Sequence, residues 1–143
     1  MIHVKPFCAL SPDELYGILR LRIGAFVVEQ KQCYQDLDDI DQNSLHIFHT
    51  DADGVIDACL RMYAKDTATV QIGRIVSGNR KKGLGRALIE RAEILAKNRF
   101  NARSIFVEGR HDALGFYLKC GFTDDRHVYF DKDRFYHELH KDL

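Results

Sequence analysis

A short basic turn, punctuated by glycines, lies in the middle of the chain and has the composition of an anion-binding loop. It covers residues 78–86 (GNRKKGLGR), between an apolar strand-like stretch and a helical pattern. The first backbone N–H groups of a helix have no partner within the helix, and the helix dipole is positive there. Glycines let an anion approach such a backbone closely. The turn therefore predicts a phosphate or pyrophosphate site.

Two common nucleotide motifs fit this turn poorly. A Walker loop needs Lys followed by Ser or Thr at its end, and although Gly78 and Gly83 have the required spacing, Leu84 follows them. A dinucleotide fingerprint needs a third glycine where Leu88 stands. The pattern that remains is Arg/Gln-x-x-Gly-x-Gly/Ala, over residues 80–85.

Composition and charge describe an ordinary globular chain. With 143 residues, 45% of them hydrophobic and 29% charged, the chain suits a single domain over residues 1–143. The 21 acidic and 21 basic residues balance, which argues against a nucleic-acid partner. An apolar run of about 18 residues and a signal-peptide core are both missing from the sequence. We therefore expect a cytoplasmic protein without a membrane partner.

The cysteines do not form a metal-binding pattern. Four of them are scattered along the chain without a Cys-x-x-Cys pair: Cys8, Cys33, Cys59 and Cys120. We expect reduced thiols and no metal cofactor.

Local signals predict ten elements. Ser11, Pro12 and Glu14 form a helix start with a capping box, and this helix is expected to end near Glu29. An acidic irregular loop covers residues 31–44. Strands are predicted over 1–7, 46–49, 55–63, 69–76, 104–107, 123–130 and 134–140, and further helices over 83–98 and 112–120. The order β-α-β-β-β-α-β-α-β-β favours a mixed α/β layer fold.

A second motif makes the family resemblance specific. Residues 113–122 (ALGFYLKCGF) follow the basic turn by about 30 residues and fit the pattern Ala-x-x-Phe-Tyr-x-x-x-Gly-Phe. Together the two motifs resemble those of the GNAT superfamily of N-acetyltransferases, over essentially the whole chain. The resemblance implies an α/β (α+β) GNAT fold: a mixed, mostly antiparallel central sheet, splayed at two parallel strands and flanked by helices.

Further residues resemble the ElaA-like subgroup of that superfamily. They are Leu21, Arg22, residues 26–30, Tyr34, Asp38, Asp41, His46 and residues 72–76. His137 stands where the subgroup has a Pro-His pair, with Tyr136 in place of the proline. Arg110 departs from the wider family, in which many members carry an asparagine that contacts the cofactor.

The resemblance implies acetyl-CoA as co-substrate. The pantetheine arm is expected to lie between strands 69–76 and 104–108, against the backbone of Ile75, Val76 and Ser77. The pyrophosphate is expected at the basic turn, bound by Arg80, Lys82, Gly83, Leu84, Gly85 and Arg86.

The implied reaction is direct acyl transfer to an amine in a ternary complex, which needs a proton donor and a proton acceptor. Tyr117, in the second motif, is the expected general acid for the departing thiolate. Gln71 stands near the position of a glutamate in some family members and cannot act as a base. The other candidates are Glu29, His46, Glu108, His111 and His137, of which His46 and His137 match subgroup positions, and a water chain to a distant carboxylate is an alternative.

Arg22 and Arg74 allow two interpretations. Arginines on core-facing elements need anionic partners, and Glu29 or Asp41 could provide a structural network. Alternatively, Arg22, Glu29 and Arg74 bind the substrate, with the arginines holding its carboxylate. The acidic residues 36–41 either attract a cationic amine or form a solvated edge.

Three functions stay open at this point. The first is N-acetylation of a primary amine on an unidentified, small-molecule acceptor, by a monomer or homodimer. The second is a non-catalytic acyl-CoA-sensing module. The third is an acyltransferase like the acyl-homoserine-lactone synthases, which have a similar early Arg…Phe…Glu…Asp pattern but are longer and lack a clear Arg-x-x-Gly-x-Gly loop.

Overall fold

The computed structural model describes residues 1–78 and 82–143, which form one sheet with helices on both faces. The element order confirms the one predicted from the sequence. The strands and helices are β1 (Ile2–Pro6), α1 (Pro12–Ile23), β2 (Leu45–Thr50), β3 (Ile56–Ala64), β4 (Thr69–Ser77), α2 (Leu84–Phe100), β5 (Ser104–Arg110), α3 (Leu114–Lys119), β6 (Thr123–Asp131) and β7 (Arg134–Asp142).

The sheet opens in its middle. Its strand order is β1-β2-β3-β4-β5-β7-β6, and every neighbouring pair is antiparallel except β4 and β5. The parallel pairing runs from Thr69↔Ser104 to Ile72↔Val107 and ends there, although both strands continue for several residues. A gap therefore separates the C-terminal ends of β4 and β5, which confirms the predicted splayed sheet.

Helix α1 begins with the predicted capping box. The Ser11 hydroxyl accepts from the Glu14 amide at 3.0 Å, and the Glu14 carboxylate accepts from the Ser11 amide at 2.9 Å. After Ile23 the helix widens into a π-helical segment, Gly24–Glu29. The helical path thus reaches Glu29, as predicted, but its last turn is wider, a form that often occurs at functional sites.

Each face of the sheet has its own apolar core, because side chains alternate along a strand. In β2, Ile47 packs with Leu88 and Ile89 of α2, whereas the neighbouring Phe48 packs with Ile18 of α1. The helices thus cover opposite faces and leave the open end of the sheet between them.

A β-bulge redirects the end of β4. Arg61 pairs with Gly73 and Cys59 with Val76, so two residues of β4, Arg74 and Ile75, stand opposite one residue of β3. Arg74 takes a left-handed conformation with φ 51°, which is uncommon for a residue with a side chain. Such bulges bend a strand and re-aim its residues, and this one lies where β4 leaves β5.

Candidate active site

A cleft of about 1600 Å³ occupies the open end of the sheet. Its walls come from β4, the start of α2, the end of β5, α3, the π-helical segment and the start of β7. The residues that line the cleft include Phe26, Glu29, Ile75, Val76, Ser77, Gly83, Gly85, Arg110, Phe116, Tyr117 and Arg134.

The N-terminus of α2 opens into this cleft. Gly83 precedes the 17-residue helix with φ +67°, a conformation that glycine adopts without strain. Phe116 of α3 packs against the first turn, where a Cβ on Gly85 would lie 3.3 Å from the Phe116 ring. Both glycines line the cleft, so helix N–H groups and a positive dipole end are presented to it.

Four other residues were predicted for the pyrophosphate site. Arg80 lies outside the described residues. Lys82 is exposed and lines a smaller pocket with His49 and Asp57. Leu84 packs against the main core. Arg86 is exposed and forms an ion pair with Glu90 at 3.2 Å. Their roles in cofactor binding stay predictions.

The end of β4 has an edge that no longer pairs with β5 and that lines the cleft. Val76 and Ser77 pair with β3 on one side, and the Gly78 amide donates to the Asp57 carbonyl at 2.7 Å. On the other side the pairing with β5 has ended. Ile75, Val76 and Ser77 all line the cleft, which is the place expected for them from the sequence.

Tyr117 forms part of the cleft wall and is 8% exposed. Its ring lies directly on Gly109, where a Cβ would come within 2.6 Å of a ring carbon, and it makes edge contacts with Phe116 and Phe122. Burial raises the pKa of the phenol, against the nearby charge of Arg110. The hydroxyl is therefore protonated at neutral pH and can donate a proton.

His137 is part of a chain of three titratable groups. Its Nε2 lies 2.7 Å from Nδ1 of His111, and its Nδ1 lies 3.1 Å from a carboxylate oxygen of Asp124. The two imidazole rings stack with centroids 5.0 Å apart. Asp124 orients the buried His137, and His137 in turn contacts the exposed His111 beside Arg110 at the end of β5. A carboxylate–imidazole–imidazole chain of this kind can accept and pass on a proton.

His46 has a different environment. It is 2% exposed, and its Nε2 lies 2.9 Å from the Asp41 carbonyl oxygen. Burial lowers its pKa, so the imidazole is neutral at pH 7. Its catalytic role stays a prediction, and these contacts favour a structural one.

Arg22 and Arg74 belong to a network of three arginines and three aspartates. Arg22, 1% exposed, donates from Nε to Asp36 at 3.0 Å and from Nη1 to Asp41 at 2.7 Å. Arg74 Nε lies 2.9 Å from an Asp36 oxygen, and its Nη2 donates to Asp38 at 3.2 Å. These partners favour the structural interpretation of both arginines, and their substrate-binding role stays a prediction.

Arg61 completes the network and was not singled out from the sequence. It donates to both Asp38 oxygens at 2.7 and 2.6 Å and to Asp41 at 3.0 Å. Although burial opposes it, these hydrogen bonds hold the pKa of Asp38 at about 2. The available signal was a charged residue inside the otherwise apolar stretch 58–64. The acidic loop is thus tied to the sheet by its aspartates.

Glu29, the third predicted substrate-binding residue, is exposed and lines the cleft. Arg110 and Arg134 line it too. Arg134 had no signal in the sequence, since an arginine that begins a strand after a polar turn looks like any surface arginine.

The protein therefore belongs to the class in which two parallel strands part within a mixed sheet, and the cleft between them is lined by the N-terminus of a helix. The family model of the acetyltransferase (GNAT) family matches residues 15–122. The chain therefore belongs to the GNAT acetyltransferase family.

Three proteins are similar to this chain over most of its length, and one of them is an ElaA protein. A UPF0039 protein of Schizosaccharomyces pombe is 35% identical over 130 residues, which are 89% of this chain and 87% of the relative. The ElaA protein of Escherichia coli is 29% identical over 126 residues, or 84% and 82% of the two chains. Its crystal structure aligns with a TM-score of 0.88 at 24% identity, covering 99% of this chain and 98% of that one. An acyl-CoA N-acyltransferase from Pseudomonas aeruginosa aligns with a TM-score of 0.88 at 30% identity, covering 99% of both chains.

Two other features are absent from the part of the chain that the structure describes. Within 1–78 and 82–143, none of the helices has the length and apolar character needed to cross a bilayer. The same residues contain no group of three His, Cys, Asp or Glu side chains placed to hold a metal ion.

Proposed function

We propose that the protein is an N-acetyltransferase that moves the acetyl group of acetyl-CoA to a primary amine of a small molecule, by direct attack in a ternary complex. The observation that carries this proposal is the cleft between the parted ends of β4 and β5. Its lining includes the edge of β4 that has left β5, a helix N-terminus and the phenol of Tyr117. Membership in the GNAT family supports it.

The cleft offers complementary groups for each part of acetyl-CoA. The pyrophosphate fits the α2 N-terminus at Gly83 and Gly85, and the sequence motif adds Arg80, Lys82 and Arg86 as its proposed cationic partners. The pantetheine arm carries amides that can pair with the edge of β4 that has left β5, near residues 75–77. The thioester supplies an activated acetyl group, and this placement brings it towards Tyr117.

Groups of the protein can then stabilise the charge that develops on the thioester carbonyl and protonate the departing thiolate. A backbone N–H near Ile75 or Val76 would donate to the thioester carbonyl as negative charge develops there, and one such donor is typically worth about 3 kcal/mol. Tyr117 would protonate the departing thiolate.

The acceptor amine is mostly protonated at neutral pH if its pKa is near ~10. It must therefore lose a proton before it attacks. The proposed proton acceptor is the His111–His137–Asp124 chain, whose groups contact one another next to the cleft-lining Arg110; none of the three lines the cleft, so the proton would have to cross through water.

A pair of variants tests the cofactor site. Gly83→Asp and Gly83→Asn introduce side chains of nearly equal volume at the same left-handed position, so only the charge differs. Calorimetry should show that Gly83→Asp loses CoA binding because the carboxylate repels the pyrophosphate. Gly83→Asn should lose much less. If the two folded variants bind CoA with equal affinity, the pyrophosphate does not bind at this turn.

Transfer itself needs a separate measurement. Release of the CoA thiol from acetyl-CoA, followed with a panel of primary amines, distinguishes an acetyltransferase from a module that only binds acyl-CoA. Binding without thiol release over the whole panel would contradict the proposed function.

A further inference from the structure

Arg134 is a cationic residue in the wall of the cleft. It begins β7, is half-buried and lines the cleft. Its Nη2 donates to the Gln30 carbonyl at 3.1 Å, so it bridges the β6–β7 turn and the residue that follows the π-helical segment. Phe26 and Glu29 of that segment line the same cleft.

The charge of Arg134 is not balanced within the described protein. Its Nε is buried and has no hydrogen-bond partner among the described residues. No carboxylate of residues 1–78 or 82–143 lies within ion-pair distance of its guanidinium. The Nε atoms of Arg61 and Arg74 are also buried without a hydrogen-bond partner among the described residues. Arg22, Arg61 and Arg74 nevertheless differ from Arg134, since each forms ion pairs with aspartates. A partly desolvated guanidinium without an anion is costly, so this position is suited to an anionic group of a ligand.

A second arginine, Arg110, lines the cleft together with Tyr117, the proposed proton donor. Arg110 is the register partner of Tyr136 and also acts on the phenol of Tyr117. Burial raises the pKa of Tyr136, against the charges of both Arg110 and Arg134. The ion-pair partner of Arg110 is Asp112, whose side chain is 60% exposed. Arg110 and Arg134 thus both stand in the wall of the cleft with Tyr117, and of the two only Arg110 has an ion-pair partner among the described residues.

We propose that the acceptor carries a carboxylate in addition to its amine, and that Arg134 binds this carboxylate and determines specificity. The inference rests on the proposed function and adds the acceptor class, amino acids and related amino carboxylates. It assigns the carboxylate to Arg134 because the guanidiniums of Arg22 and Arg74 are already held by aspartates.

Matched acids and amides test this assignment. Glycine, β-alanine, γ-aminobutyrate and lysine are compared with their carboxamides, which keep the shape and remove the negative charge. In the wild-type protein, kcat/KM for at least one acid should exceed that for its amide by about ten- to hundredfold, the effect of one hydrogen bond between charged groups. In Arg134→Gln this ratio should fall to about one while the KM for acetyl-CoA is unchanged. Arg134→Lys should keep part of the preference.

The control variant is Arg99→Gln, which removes an exposed arginine from the last turn of α2 and should leave the ratio as in the wild type. Acids that are never preferred over their amides, or a preference that survives in Arg134→Gln, would overturn the inference. A rise in the acetyl-CoA KM of Arg134→Gln would also overturn it, by assigning Arg134 to the cofactor. Transfer to polyamines but to none of the acids would contradict the acceptor class and leave the proposed function intact.

Discussion

At the residue scale, the wall of the cleft is built around Tyr117. The ring can lie against the end of β5 only because residue 109 is glycine, since a side chain there would overlap it. Phe116 and Phe122 hold the ring from its sides. A phenol fixed in this way and kept protonated by burial is suited to giving a proton to a neighbouring sulfur.

Tyr117→Phe tests this role, because it removes the hydroxyl and keeps the ring. We expect kcat to fall by about ten- to hundredfold with no change in the KM for acetyl-CoA. The folded-state pKa is raised, so the phenol stays protonated below the ordinary tyrosine value of about 10. The ratio of the two rates should therefore be constant from about pH 6 to about pH 9. The measurement is a pH–rate profile of both proteins under conditions where chemistry limits the rate. If kcat of the variant equals kcat of the wild type over this pH range, Tyr117 is only a packed aromatic.

At the element scale, the arginine–aspartate network fixes the bulge in β4. Arg74 is the residue with the left-handed backbone, and its side chain is held by Asp36 and Asp38 of the acidic loop. Asp41 joins the same loop to α1 through Arg22 and to β3 through Arg61. The network therefore connects three elements at the point where β4 leaves β5 and turns its edge to the cleft.

Acid should weaken this network before the apolar cores. The pKa of Asp38 is held at about 2, and that of Asp41 below its ordinary value, because hydrogen bonds from arginines outweigh the opposing effect of burial. A carboxylate whose folded-state pKa is lowered contributes stability above its unfolded pKa of about 3.9 and loses it as the pH falls through the folded value. Thermal unfolding should therefore show Tm falling steeply between about pH 4 and about pH 2.

Removing the carboxylates tests the same idea at neutral pH. The double variant Asp38→Asn/Asp41→Asn leaves the buried Arg61 guanidinium without a carboxylate partner, and the free energy of unfolding at pH 7 should fall by about 3 to 5 kcal/mol. Its Tm should also depend less on pH in the acid range. Asp142→Asn is the control, because that side chain is 88% exposed and its loss should change stability by less than about 0.5 kcal/mol. A double variant as stable as the control would show that the network does not support the fold.

The sequence predicts the helices and strands better than it predicts the bulge and the widened helical turn that distort them. The capping box at Ser11 and the alternation in β2 are local, so they are readable along the chain. The bulge at Arg74 depends on the register with β3, and the widened turn 24–29 depends on packing against the cleft, so neither is encoded within a few residues. The pyrophosphate turn and Tyr117 are predicted from contiguous motifs, and their roles stay predictions. The partners of Arg61 and Arg134 are far away in the sequence; Arg61 has one local signal, its position in an otherwise apolar stretch, and Arg134 has none.

At the scale of the whole molecule, the sheet consists of two halves joined at a short seam. Strands β1 to β4 form one half and β5 to β7 the other, and the seam is the parallel pairing from Thr69↔Ser104 to Ile72↔Val107. Helix α2 packs across the main core that both halves share. Beyond the seam, the strand ends face the cleft without pairing to each other. A pantetheine arm in this gap would connect the two halves as an additional strand does.

Hydrogen exchange measures this connection. CoA that binds only the folded protein should raise the free energy of unfolding by about 2.7 kcal/mol at 100 times its dissociation constant. Locally, the amides of residues 73–77 in β4 and 108–110 in β5 should exchange more slowly with CoA bound, because the strand edges gain hydrogen-bond partners. The adenosine bisphosphate half of CoA, which lacks the pantetheine arm, is the control ligand. It should protect amides at the start of α2 without slowing exchange in residues 73–77. Equal protection of those β4 amides by both ligands, or by neither, would show that the pantetheine arm does not pair with β4.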